Sequence, residues 1–140
     1  MNRKEIFEKL LFIADKHGSR NPQQLKLLKR TFSTYDKNEV FEGCLEVFKL
    51  SQPNSFERQQ LSGRMLYAIR PKIHFKLEEV LRPCLEHYDV SVEELPWYFC
   101  SLMGNERVLD VVKKMEQEVL SEKERINLET FGFWAKNYGT

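Results

Sequence analysis

LEEVLRPCLEHYDVSVEELPWYFCSLMG, residues 77–104, reads as two helices joined by a turn, and the remainder of the chain repeats its design. Leu77, Val80, Leu81, Cys84, Leu85 and Tyr88 fall at i, i+3, i+4, i+7, i+8 and i+11. That spacing puts all six on one stripe of a helix and calls for a half-buried element. Asp89 and Ser91 favour a turn through side-chain hydrogen bonds to the backbone. Ser91 and Glu94 have the spacing of a capping box and open a second helix, whose stripe is Val92, Leu95, Phe99, Leu102 and Met103. Gly104 suits its C-terminal end. Pro96 falls near the first turn, where proline is tolerated, whereas Pro83 falls mid-helix and should kink that helix or break its ladder.

The same reading extends along the chain. A first helix runs from Arg3 to His17, with Ile6, Phe7, Leu10, Leu11, Ile13 and Ala14 on its apolar face and Gly18 stopping it. Asn21 and Pro22 start a second, with Leu25, Leu28 and Phe32 as its stripe. After a turn at Ser33 to Asp36, a third helix spans Lys37 to Leu50 and buries Val40, Phe41, Cys44, Leu45 and Phe48. A fourth, Phe56 to Ile69, carries Leu61, Met65, Ala68 and Ile69, with Gly63 placed to allow a close helix contact; Arg70 and Pro71 end it. Asn105 should cap a seventh helix with the stripe Val108, Val112, Met115 and Val119. Ser121 with Glu124 should box the start of an eighth, carrying Ile126, Phe131, Trp134 and Tyr138. No segment sustains a period of two, so eight helices and no strands are expected.

Shifting the chain by 40 residues lays Glu39-Val40, Cys44-Leu45-Glu46 and Ser51 onto Glu79-Val80, Cys84-Leu85-Glu86 and Ser91, with Phe41 over Leu81 and Phe48 over Tyr88. Helical hairpins recurring at this interval, with a mid-helix proline and an aspartate in the turn, resemble HEAT or armadillo-type repeats. Gly43 stands where Pro83 would be matched, which departs from the pattern. The resemblance implies one all-α domain over residues 1–140, a right-handed α-α superhelix of about four stacked hairpins whose neighbours bury each other's apolar faces. It also implies an extended surface, lined by the second helix of each hairpin, as the binding face.

Hydrophobic residues at 41% with ten Phe exclude a disordered chain. The apolar run Leu10 to Ala14 is too short and too flanked by charge for a signal peptide or membrane span, so a cytoplasmic location is expected. Cys44, Cys84 and Cys100 lie in helical patterns and read as reduced core thiols rather than a disulfide framework. The net charge of +1 conceals an asymmetry: residues 1–76 hold 15 Lys and Arg against 8 Asp and Glu, while residues 77–140 hold 7 against 13. Such a split can steer partners or mark two contact surfaces, and equally it can reflect solvated helices of different composition.

Chemistry-bearing constellations are sparse. Cys84 and His87 could form half a metal site or a nucleophilic pair, but no second ligand pair, orienting carboxylate or oxyanion hole accompanies them. The pairs Glu78-Glu79 and Glu93-Glu94 diverge around their helices and read as solvated. No phosphate loop, GxSxG or HExxH occurs, and no cofactor is expected. The stronger signal is basic: Arg58, Arg64, Arg70, Lys72, His74 and Lys76 with no acid between residues 58 and 76, extended by Lys26, Lys29 and Arg30 on the second helix. Trp97 and Tyr98 fit no stripe cleanly, so at least one can face outward as an interface anchor, or neighbouring helices can cover both. The expectation is a non-enzymatic protein-binding module, an adaptor, complex subunit or immunity-type inhibitor. Its binding face would include Lys26, Lys29, Arg30, Arg58, Arg64, Trp97 and Tyr98. The alternatives are nucleic-acid binding through residues 58–76 and, further off, an enzyme with a cleft between hairpins.

Overall fold

The computed structural model describes all 140 residues, Met1–Thr140, and consists of helices without strands. The order is α1 (Arg3–His17), α2 (Pro22–Phe32), α3 (Lys37–Glu46), α4 (Ser55–Ile69), α5 (Leu77–Leu81), α6 (Glu94–Met103), α7 (Asn105–Met115) and α8 (Glu122–Lys136), with a 3₁₀ turn at Arg82–Cys84 following α5. Side-chain caps set many of the N-termini. Asn2 with Glu5 and Ser121 with Glu124 form reciprocal capping boxes on α1 and α8, while Asn21 and Asp36 accept first-turn N–H groups of α2 and α3.

The helices stack in two layers, as the recurring hairpin pattern anticipates. In one layer α2, α4, α6 and α8 lie against each other in order; in the other, α1 packs on α3 and α5 on α7. Contacts of α3 with α4 and of α7 with α8 join the layers within a hairpin, and contacts of α1 with α4 and of α6 with α7 join them between hairpins. The first and third hairpins differ from the expected pairing, because α1 and α2, like α5 and α6, are held mainly by neighbouring units rather than by each other. Buried apolar side chains from all eight helices form one connected core.

Two glycines permit the closest approaches. A Cβ on Gly43 would stand 2.7 Å from Ile6 Cγ2 and 2.9 Å from the Arg3 carbonyl oxygen, so its absence is what lets α1 lie on α3. A Cβ on Gly63 would stand 3.1 Å from Val92 Cγ1 and 3.2 Å from Glu94 Cβ, the close helix contact that its place on α4 suggests. The echo between residues 39–51 and 79–91 has a structural counterpart: Phe41 and Leu81, Cys44 and Cys84, and Phe48 and Tyr88 are all buried, and the last two rings lie 6.4 Å apart.

Local departures follow from Pro83 and from tertiary contacts. The fifth helix stops at Leu81 instead of running to Tyr88, because Pro83 offers no N–H for the ladder. The Ser91–Glu94 box does not form. Asp89 Oδ1 accepts the Ser91 N–H instead, and α6 starts at Glu94 with no side-chain cap. The third helix ends at Glu46, although Val47 and Phe48 continue inward in the following turns. Asn105 is the first residue of α7 rather than its cap, its Nδ2 donating to the Tyr138 carbonyl. Val119 is 95% exposed and Ile126 52% exposed, so neither belongs to the stripe that its spacing suggested.

Between α4 and α5 the chain runs extended through Pro71 to Lys76. Lys72, His74 and Lys76 point outward, while Pro71, Ile73 and Phe75 are covered to differing degrees. Phe75 anchors the run against Phe41 and Phe99, at 5.1 and 5.6 Å between ring centroids, and the Tyr98 hydroxyl donates to the Pro71 carbonyl at 2.6 Å.

Candidate functional site

The layer made by α2, α4 and α6 carries a groove of about 320 Å³. Leu25, Lys26 and Lys29 line it from α2, Arg64, Met65, Tyr67 and Ala68 from α4, and Glu94 and Trp97 from α6. Helical spacing explains the arrangement. Lys26 and Lys29 sit one turn apart on the same side of α2, and Arg64 with Ala68 lies one turn apart on α4. The buried rows of both helices, Leu28 and Phe32 on α2 and Leu61, Met65 and Leu66 on α4, turn these residues toward the rim.

Four of the seven residues singled out in the sequence therefore meet: Lys26, Lys29, Arg64 and Trp97. The other three do not. Arg30 is exposed on α2 outside the groove. Arg58 is committed to the first helix, its Nη2 and Nε donating to Asp15 at 2.6 and 2.9 Å and its Nη1 to Gln52 at 2.8 Å. That pair holds the Asp15 carboxyl down at about 2. Tyr98 is fully buried against Phe41 and Phe99, so it is a core residue and not part of a surface.

Trp97 is half buried, in a cluster that the sequence did not reveal. Its ring lies 5.9 Å from that of Tyr67 and 6.3 Å from that of Tyr138, and the two tyrosine hydroxyls share a hydrogen bond of 2.9 Å. That bond raises the Tyr138 pKa. Arg70 closes the cluster, its guanidinium 4.3 Å over the Tyr67 ring while Nε donates to the Tyr67 carbonyl. Tyr67 belongs to no clear stripe, and Tyr138, which its spacing assigned to the eighth helix, lies beyond the end of α8 at Lys136, so periodicity carries no sign of their meeting. Only the stacking of α4, α6 and α8 brings them together.

The electrostatics of the groove are uneven. Glu94 is its one acid, and its Oε2 already accepts a hydrogen bond of 2.7 Å from Gln60. Arg64 Nε lies 3.9 Å from the same oxygen and is buried without a hydrogen-bond partner. Lys26 and Lys29 form no ion pair within the chain.

Elsewhere, the residues weighed for chemistry are dispersed. Cys84 is buried, its thiol pushed up to about 12 by desolvation, and its sulfur lies 3.5 Å from the Val80 carbonyl. His87 Nε2 lies 3.7 Å from a Glu86 carboxylate oxygen. Cys44 and Cys100 are likewise buried free thiols, raised to about 12 and about 11 by burial. No three His, Cys, Asp or Glu side chains come close enough together to hold a metal ion. No helix is long and apolar enough to cross a membrane. No protein-family model, curated protein or solved structure matches the chain.

Proposed function

We propose that this chain is a non-enzymatic helical-repeat module that binds a protein partner through the groove of α2, α4 and α6. The observation that carries the reading is convergence: Lys26, Lys29, Arg64 and Trp97, from three helices, line one groove over the apolar surface of Leu25, Met65 and Ala68. Tryptophan and arginine are both enriched among the residues that dominate binding energy at protein interfaces. Such a module serves as an adaptor, a subunit of a complex or an immunity-type inhibitor, and its three reduced, buried cysteines suit the cytoplasm. The test is capture of proteins from the native host on the immobilised full chain and on the Arg64→Glu, Trp97→Ala variant, compared by quantitative mass spectrometry. The reading expects specific partners to be lost from the variant. An unchanged set of captured proteins refutes it.

One observation favours a second reading. Lys72, His74 and Lys76 project from the extended run after α4 and make no ion pair, so a row of free basic groups follows Arg70. Nucleic-acid binding through residues 58–76 would use that row, although the Asp15 ion pair removes Arg58 from it. Retention on single-stranded DNA or RNA that falls steeply with added salt would support this reading, and no retention at low ionic strength would remove it.

A further inference from the structure

Resting on the groove reading, we infer that its occupant is an acidic peptide segment carrying one large apolar side chain. Charge complementarity is the first argument. Three cationic side chains, Lys26, Lys29 and Arg64, stand around the groove against the single carboxylate of Glu94. Gln60 already occupies the oxygen of Glu94 that faces Arg64, at 2.7 Å against 3.9 Å. Arg64 is thus held beside an acid that does not satisfy it, with its Nε desolvated and unbonded. The Arg64 side chain as a whole is nonetheless 35% exposed, so its guanidinium can take an incoming carboxylate in a charge-assisted pair. Lys26 and Lys29, three residues apart, offer ammonium groups separated by about one helical turn, a spacing that two carboxylates on a short peptide can match.

The surface between these cations decides the rest of the ligand. Leu25, Met65 and Ala68 are aliphatic or thioether surface, which favours an aliphatic or aromatic side chain. Trp97 offers little as a stacking platform for a nucleobase, because its ring is already packed by Tyr67 and Tyr138. Single-strand binders display free aromatic faces along a basic track. A cationic rim over a mixed aliphatic and aromatic groove instead fits a peptide whose carboxylates reach the rim while one apolar residue covers Met65 and the edge of Trp97.

Random peptides of roughly twelve residues, a length that spans such a groove, are displayed and selected on the full chain. Parallel selections use three variants: Lys26→Glu with Lys29→Glu, Ala68→Trp, which fills the groove, and Arg30→Glu, which lies outside it. All four substituted residues are exposed, and circular dichroism checks that each variant keeps its helix content. Enrichment of peptides that combine two or more acids with an aromatic or large aliphatic residue is expected. A synthetic representative should lose about tenfold in affinity between about 50 and about 300 mM salt, through screening of the rim charges. It should lose at least as much on the Lys26→Glu, Lys29→Glu and Ala68→Trp variants and little on Arg30→Glu. Enriched peptides without acids, bound equally by the Lys26→Glu, Lys29→Glu variant yet lost on Ala68→Trp, overturn the acidic occupant and leave the groove reading standing. Peptides indifferent to Ala68→Trp overturn both, as does the absence of any enrichment. Tighter binding of a thymidine oligonucleotide than of any selected peptide, lost on the same variants, overturns the peptide in favour of nucleic acid.

Discussion

Trp97 and Tyr98 show what one residue of rotation does on a helix. Neither fits the stripe of α6, and from spacing alone either could face outward. The structure separates them, with Tyr98 fully buried and bonded to Pro71 while Trp97 stays half exposed on the groove. Arg58 and Arg64 divide in the same way. Six residues apart on α4, they face different partners, Asp15 on α1 and Glu94 on α6. Composition marked both as basic, but it carried no sign that Arg58 was already paired. The Asp15–Arg58 pair gives a pH test. The Asp15 pKa is lowered from 3.8 to about 2, first by the hydrogen bond from Arg58 and then by that from Asn54. A depressed carboxyl pKa stabilises the fold above the unfolded value, and the contribution is lost as pH falls from about 4 to about 2. Because the Asp15 side chain is 43% exposed, solvent screening leaves only about 1 kcal/mol of that at neutral pH. Asp15→Asn should therefore lower the urea-unfolding free energy by about that amount at pH 7, the deficit shrinking as pH approaches about 2. A deficit that does not change with pH would show that the carboxyl is not linked to folding.

At the scale of elements, the third hairpin departs furthest from its regular reading. Pro83 stops α5 after a turn and a half, and although the Tyr88 N–H still reaches the Cys84 carbonyl, the Leu85, His87 and Val90 carbonyls and the Asp89 N–H have no helical partner. Side chains from other helices replace them. Asn127 Nδ2 donates to the Leu85 carbonyl at 2.6 Å, and Trp134 Nε1 donates to the Val90 carbonyl at 2.9 Å. Gln59, wholly buried on α4, donates to the His87 carbonyl at 2.7 Å and accepts the Asp89 N–H at 2.8 Å. One buried amide thus stands in for a missing turn of helix. Gln59→Leu, close in size, would leave both backbone groups unpaired in the interior, at a cost of about 2 to 4 kcal/mol. Faster hydrogen exchange at Asp89 than elsewhere in the core should accompany the loss. A variant as stable as the parent would mean that the turn is held by other contacts. The break at Pro83 was legible in the sequence, whereas its repair was not, because Gln59 and Asn127 lie far from the turn in the chain and at positions where polar residues read as solvated.

Across the whole molecule, stacking turns chain order into spatial order, since each unit touches its neighbours. The split of charge between residues 1–76 and 77–140 thereby becomes a difference between the α1–α4 end and the α5–α8 end of the stack. The core is nonetheless continuous, with Phe41, Phe75, Phe99, Phe131 and Tyr88 linking the two ends ring to ring. A single cooperative transition is expected, in contrast to unit-by-unit fraying. Trp134→Phe leaves Trp97 as a probe in α6, and Trp97→Phe leaves Trp134 in α8. Their fluorescence midpoints in urea should coincide with each other and with loss of helix by circular dichroism. Separated midpoints would show that the ends unfold independently. By itself the sequence determined the all-helical class, most helix boundaries, the close contact at Gly63 and the basic character of the groove, because apolar period, capping residues and net charge are local properties. Tertiary packing decided which basic residues remained free, which of Trp97 and Tyr98 reached the surface, and where Tyr67 and Tyr138 met. Those outcomes depend on which helices neighbour one another and at what rotation, and side-chain spacing along one helix does not encode the face that a distant helix will cover.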